Sequence, residues 1–254
     1  MRKRAIVIVS FGSTEREARM TLKGIEGHIR EAFPEYDVFH AFTSLKIRSI
    51  LREREGIYIP SLSEILNELE EAGVEEIFCQ PTHLIEGREY EKIKECIEER
   101  ANIRYGTPIF MDVNHRECLV KHFMNSLPKK EGVLFVGHGS KKGENEIYED
   151  FERLFHENGY ENVQVATLRG KDSGFGRIEK KLEKLNVKKV QIRLLLVSTG
   201  MHVKKDILGG ETSWKHQLEE MGYEVEPLLH GLGQENIICG MYIEEIRNMQ
   251  KRSE

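Results

Sequence analysis

The chain has 254 residues, 32% charged and 39% hydrophobic, with only six prolines. That is the composition of a folded globular protein with enough chain for one large core or two smaller ones. The net charge of -5 speaks against a nucleic-acid-binding surface, which needs clustered Lys and Arg to neutralise phosphates, so any anionic ligand must meet a local basic patch.

The opening Met1-Arg2-Lys3-Arg4 followed by Ala5 to Val9 imitates a signal peptide. Its apolar stretch is too short, however, and it runs straight into Ser10-Phe11-Gly12, which reads as a first strand, Arg4 to Val9. A helix is expected next, opened by a capping box at Thr14 and Glu17. Further strands are predicted at Asp37 to Phe42, Glu76 to Gln80 and Ile109 to Val113. Another helix begins at Ser61, with Glu64 three residues on, and stops at Gly73. No run approaches the roughly 18 to 20 apolar residues of a membrane span, so a cytoplasmic protein without membrane contact is expected.

Pro128-Lys129-Lys130 is a polar breaker and the best candidate linker, dividing the chain into lobes 1–128 and 129–254. In the second lobe strands are predicted at Gly132 to Gly137, Val163 to Leu168, Lys189 to Val197 and Tyr223 to Pro227. Ile147, Phe151, Leu154 and Phe155 share a helical face that Gly159 ends. A last helix, roughly Asn236 to Gln250, is placed to cross back onto the first lobe. Alternation of strands and helices points to α/β architecture with parallel sheets, two similar Rossmann-like lobes. Cys79, Cys96, Cys118 and Cys239 form no C-x-x-C pair and are expected to be reduced.

The two lobes echo one another. Ser10-Phe11-Gly12-Ser13 recurs 127 residues later, half the chain length, as Gly137-His138-Gly139-Ser140. The segment Glu76 to Ile93 likewise resembles Lys189 to Ile207, with Glu89 and His202 each two residues after a glycine, Gly87 and Gly200. In open parallel sheets, ligands bind beyond the carboxyl ends of the strands, where all these positions fall. Facing lobes would bring Glu89, His138 and His202 to one cleft, and two imidazoles with a carboxylate are metal-site chemistry.

Each residue also has a plain reading. Gly-x-Gly turns are common β-to-α connections, His202 can be a helix-start histidine, and a glutamate in a first helical turn is ordinarily a dipole partner. The case for Glu89 rests on its repeat partner being His202. His83 ends a strand in the same region and is a candidate to line the cleft. His28, His40, His115, His122, His156, His216 and His230 share no spacing and are read as surface or packing residues. Arg48, Arg52, Arg88, Lys204 and Lys205 lie where cations can meet ligand carboxylates. No Walker-type lysine or dinucleotide fingerprint supports a phosphate-binding enzyme.

Several short motifs occur in order: VSFGS at Val9 to Ser13, AFTS at Ala41 to Ser44, LRxRxGI at Leu51 to Ile57, GxEYEKI at Gly87 to Ile93, GHGS, His202, SWK at Ser213 to Lys215, and GLG at Gly231 to Gly233. In these the sequence resembles the anaerobic sirohydrochlorin cobaltochelatases, class II chelatases of cobalamin synthesis, over nearly the whole chain. The resemblance implies the bilobal chelatase fold also used by ferrochelatases, with a tetrapyrrole in a cleft between two α/β lobes. It implies insertion of Co2+ into sirohydrochlorin, with Fe2+ or Ni2+ as alternative ions and no organic cofactor. His138 and His202 match the family's metal-handling histidines, and Glu89 its first-lobe acid.

Sirohydrochlorin is polyanionic, so Arg48 and Arg88 are expected to bind its carboxylates, and Phe11, His83 and Leu84 to contact the ring. Many relatives keep a glutamate in a V-E-x-Y-P stretch of the second lobe; here the segment reads Val165-Ala166-Thr167-Leu168-Arg169-Gly170. The missing acid leaves open a non-catalytic tetrapyrrole or metal carrier as the reading from another class. A homo-oligomer is compatible with the sequence.

Overall fold

The computed structural model describes residues 3–98, 100–140, 145–170, 175–201 and 203–252, apart from the side chains at 177, 203 and 204. His202 and the Lys141-Lys142 pair lie outside the described residues. The chain divides into two compact units, Met1–Met111 with Gly233–Glu254, and Asp112–Leu232.

The first unit is built on β1 (Arg4–Ser10), β2 (Asp37–Phe42), β3 (Glu76–Pro81) and β4 (Ile103–Tyr105), a parallel sheet in the order β2-β1-β3-β4. β1 is apolar without alternation because it is central and covered on both faces: Ala5 through Val9 are fully buried. Ala5, Val7 and Val9 join one core with Leu62, Ile65, Leu66 and Leu69 of α3 (Leu62–Glu71) and Tyr90, Ile93 and Ile97 of α4 (Arg88–Ile97). Ile6 and Ile8 point to the opposite face.

Helix α1 (Arg16–Ala32) buries Ala18, Leu22, Ile25 and Ile29 at helical spacing. It contacts α9 (Asn236–Lys251), which in turn contacts β3. The last helix of the chain thus belongs to the first unit, fastened by a hydrogen bond from Tyr242 Oη to the Thr82 carbonyl at 2.9 Å. α2 (Leu45–Glu55) is capped by Ser44 and closed by Gly56 in the left-handed region.

The second unit repeats the topology. β5 (Gly132–Gly137), β6 (Val163–Thr167), β7 (Lys189–Leu195) and β8 (Glu224–Leu228) form a parallel sheet in the order β6-β5-β7-β8. Leu134 and Val136 share a core with Ile178 and Leu182 of α7 (Phe175–Leu182) and Trp214 and Leu218 of α8 (Trp214–Glu220). Phe135, from the other face, stacks on Phe155 of α6 (Glu146–Glu157) at 5.3 Å between ring centroids, and meets Phe123 of α5 (Val113–Met124) at 4.9 Å.

Three details differ from the sequence expectations. Ile109 to Met111 is not a strand but a short 3-10 turn, in which the Met111 amide bonds back to the Pro108 carbonyl at 2.9 Å. The edge strand is instead the three-residue β4, too short for an alternation signal. Thr14 does not cap α1: its N-cap is Glu15, without a side-chain cap, and the Glu15 amide is taken by Ser13 Oγ at 3.1 Å. The box at Ser61 and Glu64 does form.

The sequence set the junction at Pro128, whereas the contacts divide the chain between Met111 and Asp112. The reason lies in the segment between them. Tyr160 Oη donates to the Met124 carbonyl and Asn162 Nδ2 to the Pro128 carbonyl, which fastens α5 and the following loop to the second sheet.

Gly12 tests how tightly the turn after β1 is packed. It sits at φ +91°, and a Cβ there would lie 2.7 Å from Phe42 Cγ. Gly56, at φ +66°, has open space around the same position. Gly12→Ala should cost about 2–4 kcal/mol, from left-handed backbone strain plus overpacking, against about 1 kcal/mol for Gly56→Ala. Equal melting-temperature losses for the two variants would show that Phe42 does not constrain the turn.

Candidate functional site

In the second unit the turn after β5 carries His138 between two glycines that packing requires. A Cβ on Gly137 would come within 2.8 Å of Tyr148 Cζ, and one on Gly139 within 2.7 Å of Thr167 Cβ. Gly139 also needs the left-handed region, at φ +68°. Burial pushes the Tyr148 phenol up to about 12, against a backbone hydrogen bond from Gly139. The turn is therefore clamped by α6 on one side and the end of β6 on the other.

His138 itself is exposed. Its backbone carbonyl accepts from the Arg169 amide at 2.9 Å, and its Nδ1 lies 2.8 Å from the Gly139 carbonyl oxygen. A carbonyl only accepts, so Nδ1 carries the hydrogen and, in the neutral ring, Nε2 carries the lone pair. An imidazole whose second nitrogen is fixed by a backbone carbonyl is the arrangement found at metal-ligating histidines.

Leu168, in the place where a second-lobe acid was sought, is buried and joins the apolar core. Its neighbour Arg169 donates to the Leu168 carbonyl at 2.9 Å and to Asp206 Oδ2 at 3.1 Å. Asp206 belongs to a single π-helical turn, Val203–Ile207.

The first unit offers a different set. Phe11 occupies the turn position equivalent to His138 and is 46% exposed, an unusual setting for a phenyl ring. Its carbonyl accepts from the Ser44 amide at 3.3 Å, and the Thr43 amide bonds to the Ser10 carbonyl at 2.8 Å. This places Thr43 beside the turn, and its hydroxyl donates to Glu89 Oε2 at 2.8 Å. Lys92, one turn along α4, donates to Glu89 Oε1 at 2.6 Å. Burial works to raise the Glu89 carboxyl, but the bonds from Lys92 and Thr43, with the charges of Lys92 and His83, hold it below its ordinary value.

His83 follows Thr82 at the end of β3. Both of its ring nitrogens are buried without a hydrogen-bond partner. Burial pushes it down to about 4, only partly offset by the Glu89 carboxylate, so the ring is neutral at physiological pH. Leu84 is buried, at 8% exposure. Arg88 opens α4 and is exposed. Arg48 is engaged with Glu64 at 2.9 Å, a carboxylate already holding the Ser61 cap.

Ser10, next to Phe11, is the hub of a half-buried chain. Thr82 Oγ1 donates to Ser10 Oγ at 2.9 Å, Ser10 Oγ lies 2.8 Å from His40 Nε2, and His40 Nδ1 lies 3.3 Å from Glu26 Oε2. The order is that of a serine-histidine-acid triad. Ser10 is only 2% exposed and its oxygen already accepts from Thr82, so the chain ties the carboxyl ends of β1, β2 and β3 to α1. His40, read from the sequence as a packing residue, is a link in it.

Cys79 faces the core of α3 and α4, and burial pushes its thiol up. The four cysteines are free. Among the described residues no helix is long and apolar enough to cross a membrane.

Comparison with known proteins adds to this geometry. The sequence model of the cobalt chelatase (CbiK) family matches residues 4–251. The chain is 27% identical to a protein of Salmonella typhimurium named sirohydrochlorin cobaltochelatase, over 95% of this chain and 94% of that one. It is 28% identical to the sirohydrochlorin cobaltochelatase CbiKC of Nitratidesulfovibrio vulgaris, over 91% of this chain and 85% of that one. Its fold is similar to that of SirB from Bacillus subtilis with Fe3+, with a TM-score of 0.72 at 18% identity, covering 100% of this chain and 97% of that one. SirB from Bacillus subtilis subspecies spizizenii in complex with cobalt matches with a TM-score of 0.67 at 14% identity, over 99% and 97% of the two chains.

Two titrations follow from these environments. The hydrogen bond from His40 lowers Glu26 from 4.5 to about 2 despite its partial burial, with Arg30 assisting. A depressed carboxylate stabilises the fold above its unfolded value and loses that contribution as pH falls through the folded one. Glu26→Gln should therefore remove about 1–2 kcal/mol at pH 7, after solvent screening, and flatten the acid limb of the stability curve between pH 4.5 and 2. An unchanged acid limb would remove Glu26 from that role. For His83, the ring resonances should stay those of neutral imidazole down to pH 5 and titrate near 4; a midpoint near 6.5 in NMR would show a solvated ring.

Proposed function

This chain belongs to the cobalt chelatase (CbiK) family, and on that footing we propose that it inserts Co2+ into sirohydrochlorin, with His138, His202 and Glu89 handling the ion. The observation that carries the reading is the His138 turn. Its glycines are required by packing, and its Nδ1 is committed to the Gly139 carbonyl, which leaves Nε2 as the donor nitrogen. The substrate named for two relatives of similar length supports the choice of tetrapyrrole.

Insertion requires two pyrrole N-H protons to leave while a divalent ion enters the ring from one face. Neutral imidazole suits both tasks, being a borderline ligand for Co2+, Fe2+ and Ni2+ and a proton acceptor near neutral pH. The ion must be held weakly enough to leave. Glu89 supplies negative charge, but Thr43 and Lys92 already occupy its two oxygens and temper that charge.

Phe11 offers an exposed apolar face to the macrocycle, and His83 and Leu84 lie on the β3-to-α4 connection below. Among the arginines, Arg88 is better placed than Arg48 to meet the substrate's carboxylates, because Arg48 is engaged with Glu64.

Spectrophotometric metallation of sirohydrochlorin by Co2+, Fe2+ and Ni2+, singly and in equimolar competition, tests the reading. Cobalt is expected to be inserted fastest. His138→Ala should lower the rate by about 100-fold or more, the scale of a lost general base or ligand. Tight binding of the tetrapyrrole with no metallation by any of the three ions would replace the enzyme with a carrier.

A further inference from the structure

We propose that His40 is a positioning residue for tetrapyrrole binding, holding the turn that presents Phe11; this rests on the chelatase reading above. His40 reaches that turn by two routes. Its Nε2 lies 2.8 Å from Oγ of Ser10, the residue before Phe11. Its ring also meets Phe42 edge-on, at 5.4 Å between centroids and 86° between planes. Phe42 is the ring that a Cβ on Gly12, the residue after Phe11, would strike, 2.7 Å from Cγ. One imidazole thus bears on both neighbours of an exposed phenyl ring.

The hydrogen bonds fix the state of that imidazole. Thr82 Oγ1 donates to Ser10 Oγ at 2.9 Å, which leaves the Ser10 hydrogen to be donated to His40 Nε2. That nitrogen then carries the lone pair, and the ring hydrogen sits on Nδ1, facing Glu26 Oε2 at 3.3 Å. The other oxygen of Glu26 accepts from Arg30 at 2.7 Å. Ser10 and Thr82 are both buried, so losing one link leaves a hydroxyl unpaired away from water.

Phe11 depends on such support. At 46% exposure its ring has little packing of its own, so its direction follows the backbone of the turn. A ring held in place before the macrocycle arrives loses less freedom on binding. In the second unit the equivalent support is steric, Gly137 pressed against Tyr148. In the first unit it is a chain of hydrogen bonds ending on a carboxylate.

The test pairs a spectrum with a double-mutant cycle. In NMR of the unmodified chain labelled with 15N-histidine, His40 should show a neutral ring with its hydrogen on Nδ1, a signature that needs no variant to fold. Kd for metal-free sirohydrochlorin, and KM and kcat for its metallation, are then measured for Ser10→Ala, His40→Phe, Phe11→Ala and the Phe11→Ala/His40→Phe pair. His40→Phe should raise Kd and KM by about 5–10-fold and leave kcat within about twofold, because the ring contact is made alike in ground and transition states. Ser10→Ala should act in the same direction, and His40→Gln, whose amide can keep a bond to Ser10, should recover most of the loss. With Phe11 already removed, His40→Phe should have no further effect on Kd.

A ring hydrogen on Nε2, unchanged Kd and KM in His40→Phe and Ser10→Ala, or full additivity with Phe11→Ala would overturn the assignment and leave the chain as a strut of the fold, seen only as a lower melting temperature. If the unmodified chain neither binds nor metallates sirohydrochlorin, the chelatase reading falls and takes this role with it. If it does both and the variants match it, the role of His40 alone falls.

Discussion

Parallel strand pairing is the constraint on which the rest of this molecule depends. A parallel strand cannot turn back on its neighbour. Each must be followed by a helix that recrosses the sheet, so every strand-to-helix turn opens on the same edge. With β1 central in one unit and β5 in the other, the turn after the most buried strand emerges at the middle of that edge. Phe11 and His138 occupy those two positions. Their neighbours, Thr43 and Thr82 with His83 in one unit, and Thr167 to Arg169 in the other, arrive from the flanking strands by the same rule.

Within that frame the two units diverge at the turn after the central strand. Both turns contain a left-handed glycine, Gly12 at φ +91° and Gly139 at φ +68°, each crowded by a side chain of the adjacent strand. The residue before that glycine is a phenyl ring in one unit and an imidazole in the other. The position before that is Ser10, anchored through His40 to Glu26, or Gly137, pressed against Tyr148. One backbone solution thus supports an apolar platform and a donor nitrogen.

Much of this was legible in the sequence. The unbroken apolar runs of β1 and β5, the alternation of β7, the Ser61 box and the left-handed stops at Gly73 and Gly159 all have local causes, and local causes leave local traces. The glycines around His138 announced a tight turn for the same reason. What was hidden depends on partners distant in sequence. Thr43 becomes significant only when the fold lays it on Glu89, and Asp206 only when it meets Arg169. His40 looked like one more packing histidine because Ser10 and Glu26 are separated from it along the chain. Ile109 to Met111 misled because an apolar run satisfies a short buried turn as well as a strand, and the choice was made by Pro108 and by β4 occupying the edge.

The crowding around Gly137 and Gly139 bears on how such a protein diversifies. Any side chain at either glycine collides with α6 or with the end of β6, so the backbone that presents His138 is closed to gradual change. Residues 83–87 connect β3 to α4, whose first turn carries Arg88 and Glu89. The rigid turn acts as an evolutionary anchor, and variation falls to the side chains around it rather than to its backbone.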